Sequence, residues 1–168
     1  MAADMPDPAR LKALVLEILD DNRTLTLATV RPDGWPQATV VGFVHDDLNL
    51  YFVVSRQSQK LANLRRDPRA SLAVGHPSEE SRTVRGLSMA ARIEEVDDPE
   101  EIERLNEMVV ARYPAALVFA PRTASAAVLR AQPQLISLVD DAEGLSQPVL
   151  LDVTVRTELS PAAPPPAA

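Results

Sequence analysis

Ser58 and Lys60 stand two residues apart in SRQSQK (55–60), directly after an apolar run. If a helix begins there, its first N–H groups have no intrahelical acceptor, and its dipole presents a positive end. A hydroxyl and an ammonium at such an end make a site for a phosphate or another anion. The plain alternative is a serine cap beside a solvated lysine. Lys60 and Lys12 are the only lysines in the chain.

Other side-chain chemistry is sparse. Cysteine is absent, which excludes disulfides, thiolate-ligated zinc, iron-sulfur clusters and thiol catalysis. Neither G-x-S-x-G nor S-x-x-K occurs. The glycines (34, 42, 75, 86 and 144) are too scattered for a P-loop or G-x-G-x-x-G. Of the two histidines, His45 precedes Asp46-Asp47, but consecutive residues at a strand end point to opposite faces, so a turn is expected there rather than a metal site. His76 borders another turn. Where the chain lacks a catalytic set of its own, a bound cofactor is the natural source of chemistry.

The 168 residues carry a formal charge of -7, placed unevenly. Residues 94–107 hold eight acidic side chains and one basic one, and the remainder balances at 16 of each. Within that remainder Arg56, Lys60, Arg65, Arg66 and Arg69 face a single Asp67. The acidic run reads as a solvated helix face, the basic run as a surface helix able to take an anion. Aromatics make up 4% and do not interleave with the basic run, which argues against nucleic acid as a partner. The apolar runs fall well short of the ~20 residues that span a bilayer. The first residues lack a basic n-region and an apolar h-region, so a cytoplasmic protein with no membrane partner is expected.

The elements that must position Ser58 and Lys60 are mostly strands. Leu11, Leu14, Val15, Ile18 and Leu19 recur at helical spacing after an Asp7-Pro8 start, predicting a helix over 7–21. Residues 24–30, 36–44 and 48–54 alternate as strands, joined by an Asp33-Gly34 hairpin and a turn at 45–47. A short helix is expected over 55–67, strands over 69–75 and 82–94, and a helix from Asp98-Pro99 to about residue 112. Two further strands, 126–130 and 134–140, are separated by Pro133, and 148–154 is a third candidate. Residues 1–155 form one domain in this reading, and the Pro/Ala-rich 156–168 is a disordered tail. The fold class is mainly β with flanking helices, and a six-stranded antiparallel barrel would hide the sheet edges.

LTLATVxxDGxPQATVV (25–41), followed by LYFVVxxxSxKxxNLxxDPRASL (50–72), resembles the pyridoxamine 5'-phosphate oxidase-like FMN-binding split-barrel family. The likeness covers roughly residues 20–140. It implies a six-stranded antiparallel split β-barrel, a homodimer with FMN at its interface, and oxidoreductase activity on a small-molecule substrate. It also implies site residues. Thr39, Val40 and Val41 would lie along the flavin ring and Val53, Val54 and Ser55 along the ribityl chain. Ser58, Gln59 and Lys60 would hold the phosphate, and Thr83 with Arg82 would add polar contacts. Asp67-Pro68-Arg69 matches a structural turn.

True pyridoxamine-phosphate oxidases carry arginine at the position of Gln59, charges on the second strand and a C-terminal segment rich in tryptophan and arginine. Here the second strand is PQATVVGFV and Trp35 is the sole tryptophan, so vitamin-B6 oxidation is not expected. The alternatives are a storage or sensing flavoprotein, a deazaflavin-dependent reductase, and a haem protein using His45 or His76.

Overall fold

The computed structural model describes residues 6–75, 83–113, 125–154 and 158–162. Helix α1 (Pro8–Asp21) starts where Asp7 accepts the N–H of Arg10 and Pro8 takes the first turn. Its stripe of Leu11, Leu14, Val15, Ile18 and Leu19 is almost wholly buried against the strands. Strands β1 (Thr24–Val30) and β2 (Pro36–Gly42) form the expected hairpin, with Gly34 at φ 86 supplying the left-handed position. There follow β3 (Val44–Asp46), β4 (Asn49–Ser55), α2 (Gln59–Arg66), β5 (Arg69–Gly75), β6 (Arg85–Glu95), α3 (Pro99–Arg112) and β7 (Ala126–Asp140). A 3-10 turn leads to β8 (Leu145–Thr154) and β9 (Glu158–Pro161).

One antiparallel sheet runs β2-β1-β5-β6-β7-β4-β3, with β8 on β7 and β9 on β8. The two ends of that path, β2 and β3, follow one another in the chain but do not pair among the described residues, so the barrel is split. The inward row Leu27, Leu72, Met89, Ile136 and Leu151 crosses the sheet at 1% exposure or less and forms the middle of the core. Among the described residues no helix is long and apolar enough to cross a membrane.

Three expectations need correction. The fold class holds, but among the described residues the sheet has nine strands rather than six, because the expected turn at 45–47 begins with a short strand and the C-terminal segments pair. Pro133 does not divide two strands. β7 runs through it because the β6 ladder shifts register between Ala90 and Ala91, opposite Pro133, where a missing N–H is harmless. The domain does not stop at 155, since Leu159 of β9 is buried in the core; residues 163–168 of the expected tail lie outside the described residues.

A polar cluster seats α2 on the sheet. Asn63, 1% exposed, donates to Thr29 Oγ1 at 3.0 Å and Gln37 Oε1 at 3.1 Å, and accepts from Gln59 Nε2 at 2.9 Å. Replacing Asn63 with leucine would orphan these buried groups, so N63L should lose about 1–3 kcal/mol in urea unfolding. An unchanged midpoint would mean that α2 is seated by Leu61 and Leu64 alone.

Candidate functional site

The end of α2 has the form expected from its sequence. Ser58 is the N-cap, and its hydroxyl accepts the N–H of Leu61 at 3.4 Å. The N–H groups of Gln59 and Lys60, which have no intrahelical acceptor, remain at the free end. The approach is shaped by Ser55, whose hydroxyl accepts the N–H of Gln57 and whose carbonyl accepts the N–H of Ser58. Lys60 is half-buried and makes no ion pair among the described residues, whereas Lys12 is bound to Asp47 at 2.9 Å. The nearby Arg56 and Arg65 share Glu95, at 3.2 and 2.6 Å, and Arg65 above all holds that carboxyl below its usual range.

Strand parity sorts the other predicted residues. On β2, Gln37, Thr39 and Val41 face the barrel interior, and Gln37 reaches α2 through Asn63. Thr39 Oγ1 is buried with no hydrogen-bond partner among the described residues. Val40 points outward and is 70% exposed. On β4, Val54 joins the barrel core, whereas Val53 packs on the α3 side with Leu105 and Val109. Ser55 is exposed at the strand end.

Thr83 does not join this group within one chain. It precedes β6, next to Val84, whose N–H bonds Asp141 at 2.7 Å. Arg56 and α2 lie at the opposite end of β6, bonded to Glu95. The 11 residues of β6 separate the two ends, about 35 Å of strand. Arg82 lies outside the described residues.

A sequence model of pyridoxamine 5'-phosphate oxidase matches residues 11–140, most of the chain. The protein belongs to the pyridoxamine 5'-phosphate oxidase family. General stress protein 26 of Bacillus subtilis is 30% identical over 69 residues, 41% of this chain and 49% of that protein, so the match spans about half the relative's length. Among solved structures, Rv2991 of Mycobacterium tuberculosis is 27% identical with a TM-score of 0.66, over 85% of this chain and 90% of its own. Two more share the fold. HutZ, the haem storage protein of Vibrio cholerae, has 20% identity and a TM-score of 0.63 over 73% and 89% of the two chains. An FAD-binding protein of Mesorhizobium loti has 18% identity and a TM-score of 0.57 over 73% and 87%.

In this family member the residues least visible from sequence motifs form the sheet's outer face. Ala38 and Val40 on β2, Thr26 and Ala28 on β1, Ser71 and Ala73 on β5, and Ser88 and Ala90 on β6 line up across the register, all outward and uncharged. Among the described residues, three of the five large exposed hydrophobics, Val30, Val40 and Val84, also project from it. Their period-2 pattern of small residues was readable in the sequence.

The turn between α2 and β5 behaves as a structural element. Arg69 bonds the Asp67 carboxylate through its side chain at 2.7 Å and through its own backbone N–H, holding that acid down to about 2. The depressed value stabilises the fold above the unfolded pKa of about 3.9, and the contribution is lost as pH falls through about 2. Asp67→Asn should therefore flatten the pH dependence of stability between about 4 and 2. A variant with the wild-type acid profile would remove the turn from that account.

Proposed function

We propose that this chain binds FMN and acts as a flavin-dependent oxidoreductase on a small molecule or a reduced nicotinamide, working as a homodimer with the cofactor at the interface. The observation that carries the reading is the Lys60 ammonium, unpaired among the described residues, beside the open first turn of α2. Charge-assisted hydrogen bonds from N–H and ammonium groups to phosphate are among the strongest available to a protein. The neighbouring Arg56 and Arg65, by contrast, are committed to Glu95.

The interior supports the same group. The orphaned Thr39 hydroxyl offers a hydrogen bond to a polar atom arriving between β2 and α2. Ser58 and Gln59 sit at the same helix end, with Gln59 fixed by Asn63. Val54 and Val41 supply apolar wall. When bound, FMN supplies hydride and single-electron chemistry. In this reading Lys60 and the first α2 N–H groups bind the phosphate, Thr39 orients the ligand, and the apolar strands exclude water.

A second copy is needed on two counts. It would cover the uncharged outer face, and it would bring a Thr83 end to an α2 end. The decisive experiment is the absorbance spectrum of the purified protein. Bands near ~450 nm are expected for FMN; a ~420 nm band would favour a deazaflavin, and a Soret band haem. Haem through His45 is disfavoured, because its ring nitrogens already meet the Asp47 carbonyl at 2.9 Å and Asp20 at 3.0 Å.

A further inference from the structure

Trp35, the sole tryptophan of the chain, lies at the tip of the β1–β2 hairpin and is 71% exposed. The tip that carries it is firmly built. The Arg31 N–H donates to the Trp35 carbonyl, and the Gly34 N–H to the Arg31 carbonyl, both at 2.9 Å. Asp33 accepts the Trp35 N–H at 3.2 Å and the Arg31 guanidinium at 2.8 Å. The ring is therefore held out on a fixed turn. Among the described residues no cation stacks on it; the two guanidinium–ring contacts are at Tyr113 and Phe43.

Arg66 reaches the same tip from the last turn of α2. Its Nη2 donates to the Arg31 carbonyl at 2.9 Å, and Arg31 is the cross-strand neighbour of Trp35. No carboxylate pairs with Arg66 among the described residues. Asp33 is taken by Arg31, and Asp67, the next residue in the chain, by Arg69 at 2.7 Å. Three guanidiniums thus stand against two carboxylates at this corner, and Arg66 holds the uncompensated charge. The inner edge of β2 leads away from it, since Trp35, Gln37 and Thr39 share one side of the strand. Gln37 commits its carbonyl oxygen to Asn63, which leaves its amide nitrogen as a donor, and Thr39 carries the orphaned hydroxyl. About 13 Å of strand separates Trp35 from Thr39.

We infer that the Trp35–Arg66 corner binds the adenosine phosphate end of the reduced nicotinamide donor, with adenine stacked on the indole and a phosphate on the Arg66 guanidinium. This rests on the flavin-oxidoreductase reading and gives the donor a point of contact remote from Lys60. An indole face takes any base, and a planar guanidinium matches a phosphate through paired hydrogen bonds. The two together select a base that carries a phosphate: an aromatic ring alone lacks the ion pair, and a bare phosphate lacks the stack. An extended dinucleotide holds its two ring systems about as far apart as Trp35 and Thr39 stand. The nicotinamide then reaches the level of Thr39, and Gln37 donates to the stretch between. Contacts so far from the reacting atoms hold substrate and transition state alike, so they act on KM.

The sole tryptophan is its own reporter. The full-length protein, as purified, is titrated with ADP-ribose, which carries the adenosine diphosphate and lacks the nicotinamide. Saturable quenching of Trp35 emission is expected, with R66Q needing about tenfold more ligand and R66K recovering part of the loss. Ribose 5-phosphate, which has no base, should leave the emission unchanged. W35A, followed in steady state with NADPH and a dye acceptor, should raise KM more than it lowers kcat. Quenching that rises without saturation overturns the site. So does an R66Q affinity equal to wild type, in which case Arg66 only caps α2 and its loss shows in urea unfolding alone. A protein without flavin that still shows saturable, Arg66-dependent quenching keeps the corner and loses the flavin reading. A yellow protein with no quenching keeps the flavin and loses the corner.

Discussion

Lys60→Ala should purify nearly colourless, while Lys12→Ala keeps the bound cofactor of the wild type. The two lysines differ in what holds them. Lys12 is neutralised by Asp47, and its loss leaves the α2 end intact. Lys60 stands half-buried beside the first turn of α2 with no carboxylate partner among the described residues. A charge-assisted hydrogen bond contributes about 1.5–3 kcal/mol, so K60A should bind FMN about 10- to 100-fold more weakly by flavin fluorescence titration. K60R, which keeps the charge, should recover part of the loss. Equal flavin content in K60A and K12A would remove the phosphate from α2.

The second large effect is expected at Ser88, in the middle of the uncharged outer face. Ser88→Glu should leave the monomer fold undisturbed, because the side chain points to solvent. In the proposed homodimer it would bury like charges on the shared, uncharged outer face. Like-charge contacts in an interface cost several kcal/mol, so dissociation should increase by about 100-fold or more. Sedimentation velocity across a concentration series checks this, and flavin affinity should fall in parallel because the two halves of the site separate. A dimer of unchanged affinity would assign the contact to another surface.

Much of the fold was legible because its local signals agree. The stripe of α1, the Asp33-Gly34 hairpin and the alternation of β1, β4 and β5 each carry their own period or turn residue, and the structure follows them. Pro133 misled because its effect depends on the neighbouring strand: the shift at Ala90/Ala91 lies more than forty residues away in the chain. β9 was hidden in a composition that reads as disordered, and only its pairing with β8 and the burial of Leu159 reveal it. At the site, the Ser58 cap was local and readable. The orphaned Thr39 hydroxyl and the Asn63 cluster were not, since both depend on how α2 settles across β1 and β2. The distance between Thr83 and Lys60 is likewise a property of the whole ladder.

The long β7 also sets an order of events during synthesis. It alone pairs with β6, β4 and β8. Until residues 126–140 leave the ribosome, the β5–β6 ladder and the β3–β4 hairpin each expose an edge on the side that β7 will occupy. Unpaired edges of that kind recruit other chains. The nascent protein thus carries its greatest aggregation hazard late, with three quarters of its sequence already made, and one strand relieves it on both sides at once. Truncations ending before β7 should accumulate as insoluble protein, whereas the full chain should fold slowly, as its many long-range pairings require.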